Sequence, residues 1–185
     1  MGLGFDNILP PLYSGMAKVA DYNIQNLKFL VVDDDTNMRH LISTILGSLG
    51  VKKVHAASSV DKGFGMLFEF EADIVICDLR MEPKDGIEFT RMLRTQDNSP
   101  NCYVPIIMLT GHAEKTVVET ARDAGVHEFL AKPVSATKLY GKIRSIIEHP
   151  RVFIRTDDYF GPDRRRRDDP NYNGPERRKA GKKNN

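Results

Sequence analysis

The stretch Ile74-Val75-Ile76-Cys77-Asp78-Leu79-Arg80-Met81 decides the fold. Three β-branched residues and a cysteine run without a polar break into one aspartate. Such a run predicts a short strand buried on both faces, as in a parallel sheet. Asp78 then falls where strand gives way to loop, the edge at which open α/β sheets bind ligands. A carboxylate there is either the cap of a following turn or a working group.

The flanking segments repeat the pattern. Phe29-Leu30-Val31-Val32 is a second apolar strand, ending at Asp33-Asp34-Asp35. Thr36 is then a candidate N-cap, followed by apolar residues at helical spacing until Gly50. Val51–Ala56 reads as a weaker strand and Val60–Phe70 as a helix. A helix over Ile87–Arg94 follows the Asp78 strand. Ile106–Leu109 is a strand closing on Thr110-Gly111, and Ala113–Ala124 a helix ended by Gly125. Phe129–Ala131 is a short strand before Lys132-Pro133, and Ser135 to about Glu148 the last helix. Strands alternating with helices predict right-handed crossovers and one doubly wound α/β domain with a five-stranded parallel sheet.

Composition bounds the rest. At 185 residues with 41% hydrophobic content, this is one globular domain plus appendages. No run approaches the ~20 apolar residues of a membrane span, so no membrane insertion is expected. Met1–Ala20 lacks a basic start followed by an apolar core, which argues against a secretory leader. Residues 1–26 read as a flexible leader. The two cysteines, Cys77 and Cys102, form no zinc pattern, and Cys77 sits in a buried-type strand. A reducing, cytoplasmic setting is therefore expected. Residues 151–185 carry 11 Lys/Arg against 6 Asp/Glu, whereas the other 150 carry 16 against 19. A basic tail on an acidic body predicts an anionic partner for the tail.

In the predicted architecture, Asp33, Asp34, Asp78, Thr110 and Lys132 all fall at one sheet edge. Converging carboxylates repel and call for a cation, and oxygen ligands with room for water suit Mg²⁺. A lysine ammonium and a hydroxyl beside them suit the oxygens of a transferred phosphoryl group. Asp78 is then the nucleophile and Lys132 and Thr110 bind the phosphoryl oxygens.

This set of motifs resembles the receiver domain of two-component response regulators, CheY-like in pattern, over roughly residues 27–149. The resemblance rests on Phe29–Asp34, on Asp78 with Met81 and Asp85-Gly86, on Leu109-Thr110-Gly111, and on Lys132-Pro133. It implies the flavodoxin-like strand order 2-1-3-4-5. It implies phosphotransfer from a histidine kinase or phosphotransfer protein, with Mg²⁺ held by Asp33, Asp34, Asp78 and the Arg80 carbonyl. It makes Phe129 the switch aromatic whose rotamer follows Thr110. It also implies a protein that modifies its own carboxylate rather than an enzyme. One position departs: the family's proline after the methionine is Glu82 here, with Pro83 one place later.

The tail, residues 150–185, is too short and polar for a DNA-binding module, so DNA is not the expected partner. It reads as largely disordered until a ligand folds it. Tyr159-Phe-Gly-Pro-Asp-Arg-Arg165 matches Tyr172-Asn-Gly-Pro-Glu-Arg-Arg178 at an offset of 13 residues. Guanidinium groups fork onto guanine or phosphate and stack on bases, as tyrosines do, and carboxylates accept from the guanine N1–H and N2–H₂ edge. Two such units suit c-di-GMP, through Tyr159, Asp163, Arg164, Arg165, Arg166, Arg167, Asp168, Tyr172, Arg177 and Arg178. The tail resembles the arginine-rich extension of CheY-like c-di-GMP effectors. That resemblance implies a target at the flagellar motor switch and control of motility and surface attachment. Two other readings stand beside it: a nucleic-acid-binding tail, and a phosphorelay sink or shuttle whose tail is inert.

Overall fold

The structure is a computed structural model, and it describes residues 22–111 and 114–164. Chain order gives β1 (Lys28–Val32), α1 (Thr36–Ser48), β2 (Lys53–Ala57), α2 (Val60–Glu69), β3 (Ile74–Asp78) and α3 (Gly86–Thr95). β4 (Ile106–Thr110), α4 (Lys115–Ala124), β5 (Glu128–Ala131), α5 (Ala136–Glu148), β6 (Phe153–Thr156) and β7 (Tyr159–Pro162) follow. The first five strands form one parallel sheet in the order β2-β1-β3-β4-β5. This is the flavodoxin-like order.

Side-chain alternation along each strand divides the core in two. Leu30, Val32, Val75, Cys77, Ile106 and Met108 meet Phe64, Phe89, Leu93 and Ala121 from α2, α3 and α4. Phe29, Val31, Ile74, Ile76, Ile107 and Leu109 meet Ile42, Leu46, Leu139 and Ile143 from α1 and α5. β3 and β4 are buried along their whole length, as two-sided cover requires.

Local chemistry fixes the helix ends. α1 is capped by Asp35, whose side chain accepts from Asn37 N–H, so the cap lies one residue before the expected Thr36. Asp85 and Glu88 form a reciprocal capping box on α3. α4 ends at Gly125 in the left-handed region, φ 106°, where a side chain is disfavoured.

Two expectations need correction. The packed domain begins before residue 27: Ile24 is buried, Tyr22 N–H donates to Tyr140 Oη, and Lys52 N–H donates to Gln25 O. Residues 22–26 are therefore held against α1 and α5 rather than part of a flexible leader. Secondly, the tail does not start out unstructured. Residues 153–162 form an antiparallel hairpin, β6–β7, that packs on α3 and α4. Its physical reason is an aromatic cluster. Phe153 meets Tyr103, His127 and Phe160 at ring separations of 5.0–5.6 Å, so apolar surface on the domain and on the hairpin is buried together. Arg151 anchors the entry to the hairpin on buried Glu128, 3.5 Å away.

Candidate functional site

Four strand ends assemble the predicted site. Asp33 follows β1, Asp78 ends β3 and Thr110 ends β4, and Lys132 follows β5. Asp33 is fully buried, and Asp78 and Thr110 nearly so, whereas Asp34 is exposed. One carboxylate oxygen from each of Asp33, Asp34 and Asp78 lies within 4.8 Å of the others. Lys132 Nζ sits 2.9 Å from Asp78 Oδ1 and 3.5 Å from Asp33 Oδ2. The residues that the sequence brought together are therefore together in space.

Electrostatics set the state of these groups. Burial, reinforced by the charge of Asp78, raises the Asp33 carboxyl above its ordinary value despite a hydrogen bond from Asp35 N–H and the nearby Lys132. Burial alone would lower the Lys132 ammonium, but the hydrogen bond and charge of Asp78, with Asp33, outweigh it and raise it. Lys132 is thus held as a cation. Burial pushes the Cys77 thiol well above its ordinary value, with the neighbouring carboxylates adding to the effect. It is an inert core group.

The acidic cluster fits a divalent cation. Asp33 Oδ2 is buried and lacks a hydrogen-bond partner among the described residues, with Lys132 Nζ in ion-pair contact at 3.5 Å. A buried carboxylate oxygen left so is costly unless something positive completes it. Three oxygen donors with an exposed member suit a hard ion that keeps some of its water, as Mg²⁺ does. A cleft of about 540 Å³ opens beside the cluster, lined by Asp34, Arg80, Met81, Glu82 and Asp85 among others. Glu82 is exposed at this rim, where the sequence departs from the expected proline.

Two supporting features lay beyond the sequence reading. Arg39 on α1 donates to the carbonyls of Asp33 and Asp34, at 2.7 and 2.9 Å, and to Thr36 Oγ1. It fixes the acidic loop from behind. Its only sequence signal was a basic residue one turn into a helix that follows an acidic turn. Gly86 lies against the Asp78 carbonyl: a Cβ there would fall 2.2 Å from that oxygen. The Asp85-Gly86 pair is therefore a cap plus a close approach under the site.

The model of the response regulator receiver domain family matches residues 29–144. The chain belongs to this family. Among curated relatives, the receiver is 30% identical to the chemotaxis protein CheY of Pseudomonas aeruginosa over 122 residues, 66% of this chain and 97% of that protein. It is 29% identical to CheY-3 of Vibrio cholerae over 124 residues, covering 67% and 94%. Among solved structures it resembles Vibrio cholerae CheY4, with a TM-score of 0.60 at 25% identity over 65% of this chain and 98% of that one. It also resembles the receiver domain of a sensor histidine kinase from Pseudomonas aeruginosa, at TM-score 0.59 and 28% identity over 66% and 98%. That structure has a magnesium ion coordinated in its active-site cleft. Receiver domains bind Mg²⁺ at such an acidic pocket, and membership implies a kinase or phosphotransfer protein as partner. Among the described residues, no helix is long and apolar enough to cross a membrane.

The remaining predicted residues fall elsewhere. Phe129 lies half-buried in β5 beside Met108 and packs on the core cluster of α2–α4. In the tail, Tyr159 is only 9% exposed: its hydroxyl donates to Pro162 O at 2.7 Å. The Arg164 guanidinium stacks on its ring at 3.9 Å and pairs with Asp123 of α4 at 3.3 Å. Asp163 N–H donates to Val152 O, closing the hairpin. Arg165, Arg166, Arg167, Asp168, Tyr172, Arg177 and Arg178 lie outside the described residues.

Proposed function

We propose that this protein is a cytoplasmic response regulator. It takes a phosphoryl group on Asp78 and binds c-di-GMP through its C-terminal segment. It then acts by protein contact, at the flagellar motor switch, to control motility and surface attachment. The observation that carries the receiver half is the Lys132 ammonium, 2.9 Å from Asp78 inside a ring of three carboxylates. An Asp78 oxygen attacks the phosphorus of a phosphohistidine, the O–P bond forms as the P–N bond breaks, and the imidazole leaves to its own protein. Lys132 pairs with one phosphoryl oxygen and the Thr110 hydroxyl donates to another. Asp33, Asp34, Asp78 and the Arg80 carbonyl would hold Mg²⁺, which supplies charge neutralisation for the crowded oxygens. Phe129 follows the position of Thr110. The acceptor is the protein's own side chain, so this reading is of a switch and not of an enzyme with a separate substrate.

The c-di-GMP half rests on the duplicated Tyr-x-Gly-Pro-acid-Arg-Arg unit and on where its first copy lies. The hairpin packs beside the N-terminal ends of β4 and β5, whereas the acidic site lies at their C-terminal ends. Four steps of ~3.3 Å separate the two ends of β4, about 13 Å. Two anionic ligands at opposite ends of the sheet do not compete for one pocket.

Calorimetric titration of c-di-GMP into the full chain and into residues 1–150 tests the ligand. Binding to the full chain alone, lost on Arg165→Ala or Arg178→Ala, supports it. Salt-sensitive binding to any DNA or RNA with no preference for c-di-GMP would favour a nucleic-acid tail. Phosphotransfer with no ligand bound would favour a phosphorelay shuttle.

A further inference from the structure

We infer that the β6–β7 hairpin is itself a guanine-binding site, in which Arg155 and Phe160 form the stacking surface and the Asp157-Asp158 turn reads the base edge. This inference rests on the c-di-GMP reading above and assigns the base contacts to Arg155, Asp157 and Asp158, which lie before the tail motif, and to Phe160 at its variable position.

Several observations converge on this spot. The Arg155 guanidinium lies 4.3 Å from the centroid of the Phe160 ring. Arg155 is exposed, so the face of its plane away from the ring is open to a ligand. Phe160 in turn meets Tyr103 edge to face at 5.5 Å, and Tyr103 is 58% exposed. The exposed Tyr103 ring and the half-buried Phe160 ring beside a guanidinium form a platform on which a nucleobase stacks, because the base, the ring and the guanidinium are all flat and polarizable.

A cleft of about 500 Å³ lies directly beside this platform, between the hairpin and the end of α3. That is in the range of small-molecule sites. Asp157, Asp158 and Asp97 line it together with Arg155, Tyr159 and Phe160. A carboxylate accepts two parallel hydrogen bonds from guanine N1–H and N2–H₂. Adenine has no donor pair on that edge, so the turn selects guanine over adenine. The three carboxylates outnumber the two guanidiniums of Arg94 and Arg155 in the lining and disfavour phosphate there. The phosphates are left to arginine, and Arg164 stacks on the Tyr159 ring at 3.9 Å.

The duplicated unit also fits this division. Its second copy has Asn173 where the first has Phe160. The copies differ there and, by one methylene, at Asp163 and Glu176, and the first of these two positions supplies the Phe160 ring of the stacking platform.

The test is calorimetric titration of c-di-GMP into the full chain, with c-di-AMP as the comparison ligand. Stacking contributions of this kind predict a loss of roughly five- to hundredfold in affinity for Arg155→Ala. Arg155→Lys is expected to weaken binding nearly as much, since it keeps the charge and loses the plane. Asp157→Asn/Asp158→Asn is expected to narrow the preference for c-di-GMP over c-di-AMP. Arg155 and the turn are exposed, so these variants retain the fold. If wild type binds c-di-GMP and Arg155→Ala binds it equally well, the hairpin is not the base site, while the tail reading stands. If wild type does not bind c-di-GMP at all, the tail reading falls and this inference with it.

Discussion

Replacing Gly161 by alanine is expected to loosen the hairpin from the receiver. A Cβ at Gly161 would lie 2.5 Å from Tyr159 Oη, 2.8 Å from Tyr159 Cζ and 3.1 Å from Gly125 Cα. The ring stands on one side and helix-end backbone on the other, so neither neighbour gives way cheaply. Gly161 is not among the glycines with positive φ, so the cost is steric and not conformational. Overpacking of this kind costs about 1–3 kcal/mol, and displacing the ring breaks the Tyr159–Pro162 hydrogen bond, worth about 1 kcal/mol. The sum cannot exceed the free energy of docking, because the hairpin can lift away while the five-stranded sheet remains. We therefore expect a loss of about 2 kcal/mol in urea unfolding, a fall in Tm of roughly 4–8 °C, and faster amide exchange at Asp163. Amide exchange in β3 should rise only with the global loss. A Gly161→Ala protein within about 0.5 kcal/mol of wild type, with Asp163 still protected, would refute the packing argument.

Other consequences follow from single groups. Burial, with the cations of Arg94 and Arg151 nearby, pulls the His127 imidazole down to about 3 from 6.5, and its Nδ1 accepts from Ile106 N–H. A depressed folded value means that the unfolded chain takes up the proton first. The stability due to neutral His127 is complete above pH 6.5 and drains away as pH falls toward 3. By pH 5 that is about 2 kcal/mol, so His127→Gln should flatten the difference in urea midpoint between pH 7 and 5. Asp33 has the opposite sign: its folded value is raised, so its ionised form costs stability at neutral pH. Mg²⁺-free Asp33→Asn should be more stable than wild type at pH 7, with the gain vanishing below pH 3.8, and should no longer be stabilised by added Mg²⁺. Arg39→Ala should lower Mg²⁺ affinity by about 10- to 100-fold, the usual loss when an outer-shell partner is removed. Calorimetry with MgCl₂ reads it directly.

The sequence was most legible where burial is two-sided. Ile74–Cys77 and Ile106–Leu109 could only be central strands, and their ends located Asp78 and Thr110. Lys132 was legible because a short strand, Glu128–Ala131, delivers it to the same edge. The N-cap of α1 was misplaced by one residue because Asp35 and Thr36 are both good caps, and only the Asn37 N–H decides between them. The hairpin was illegible for a tertiary reason. Phe153–Pro162 alternates weakly, and its partners, Tyr103, His127 and Arg94, come from three separate loops and helices. Arg94 reads as an ordinary charge at a helix end. In the structure it is 3% exposed, donates to the carbonyls of Cys102, Val104 and Gly125, and lies under Phe153. Burial brings its guanidinium down to about 10. Tyr159 was read as ligand chemistry. Here it also locks the hairpin through its bond to Pro162 O, a use that a repeat in sequence does not distinguish from recognition.

The proposed switch depends on Asp78 as the carboxylate that receives the phosphoryl group. Intact-mass spectrometry of the full chain after incubation with a phosphorylated histidine phosphotransfer protein and Mg²⁺ measures this. The expected result is the mass of a single added phosphoryl group, base-labile, absent from Asp78→Asn and absent when Mg²⁺ is chelated. An adduct of the same stoichiometry on Asp78→Asn would contradict it.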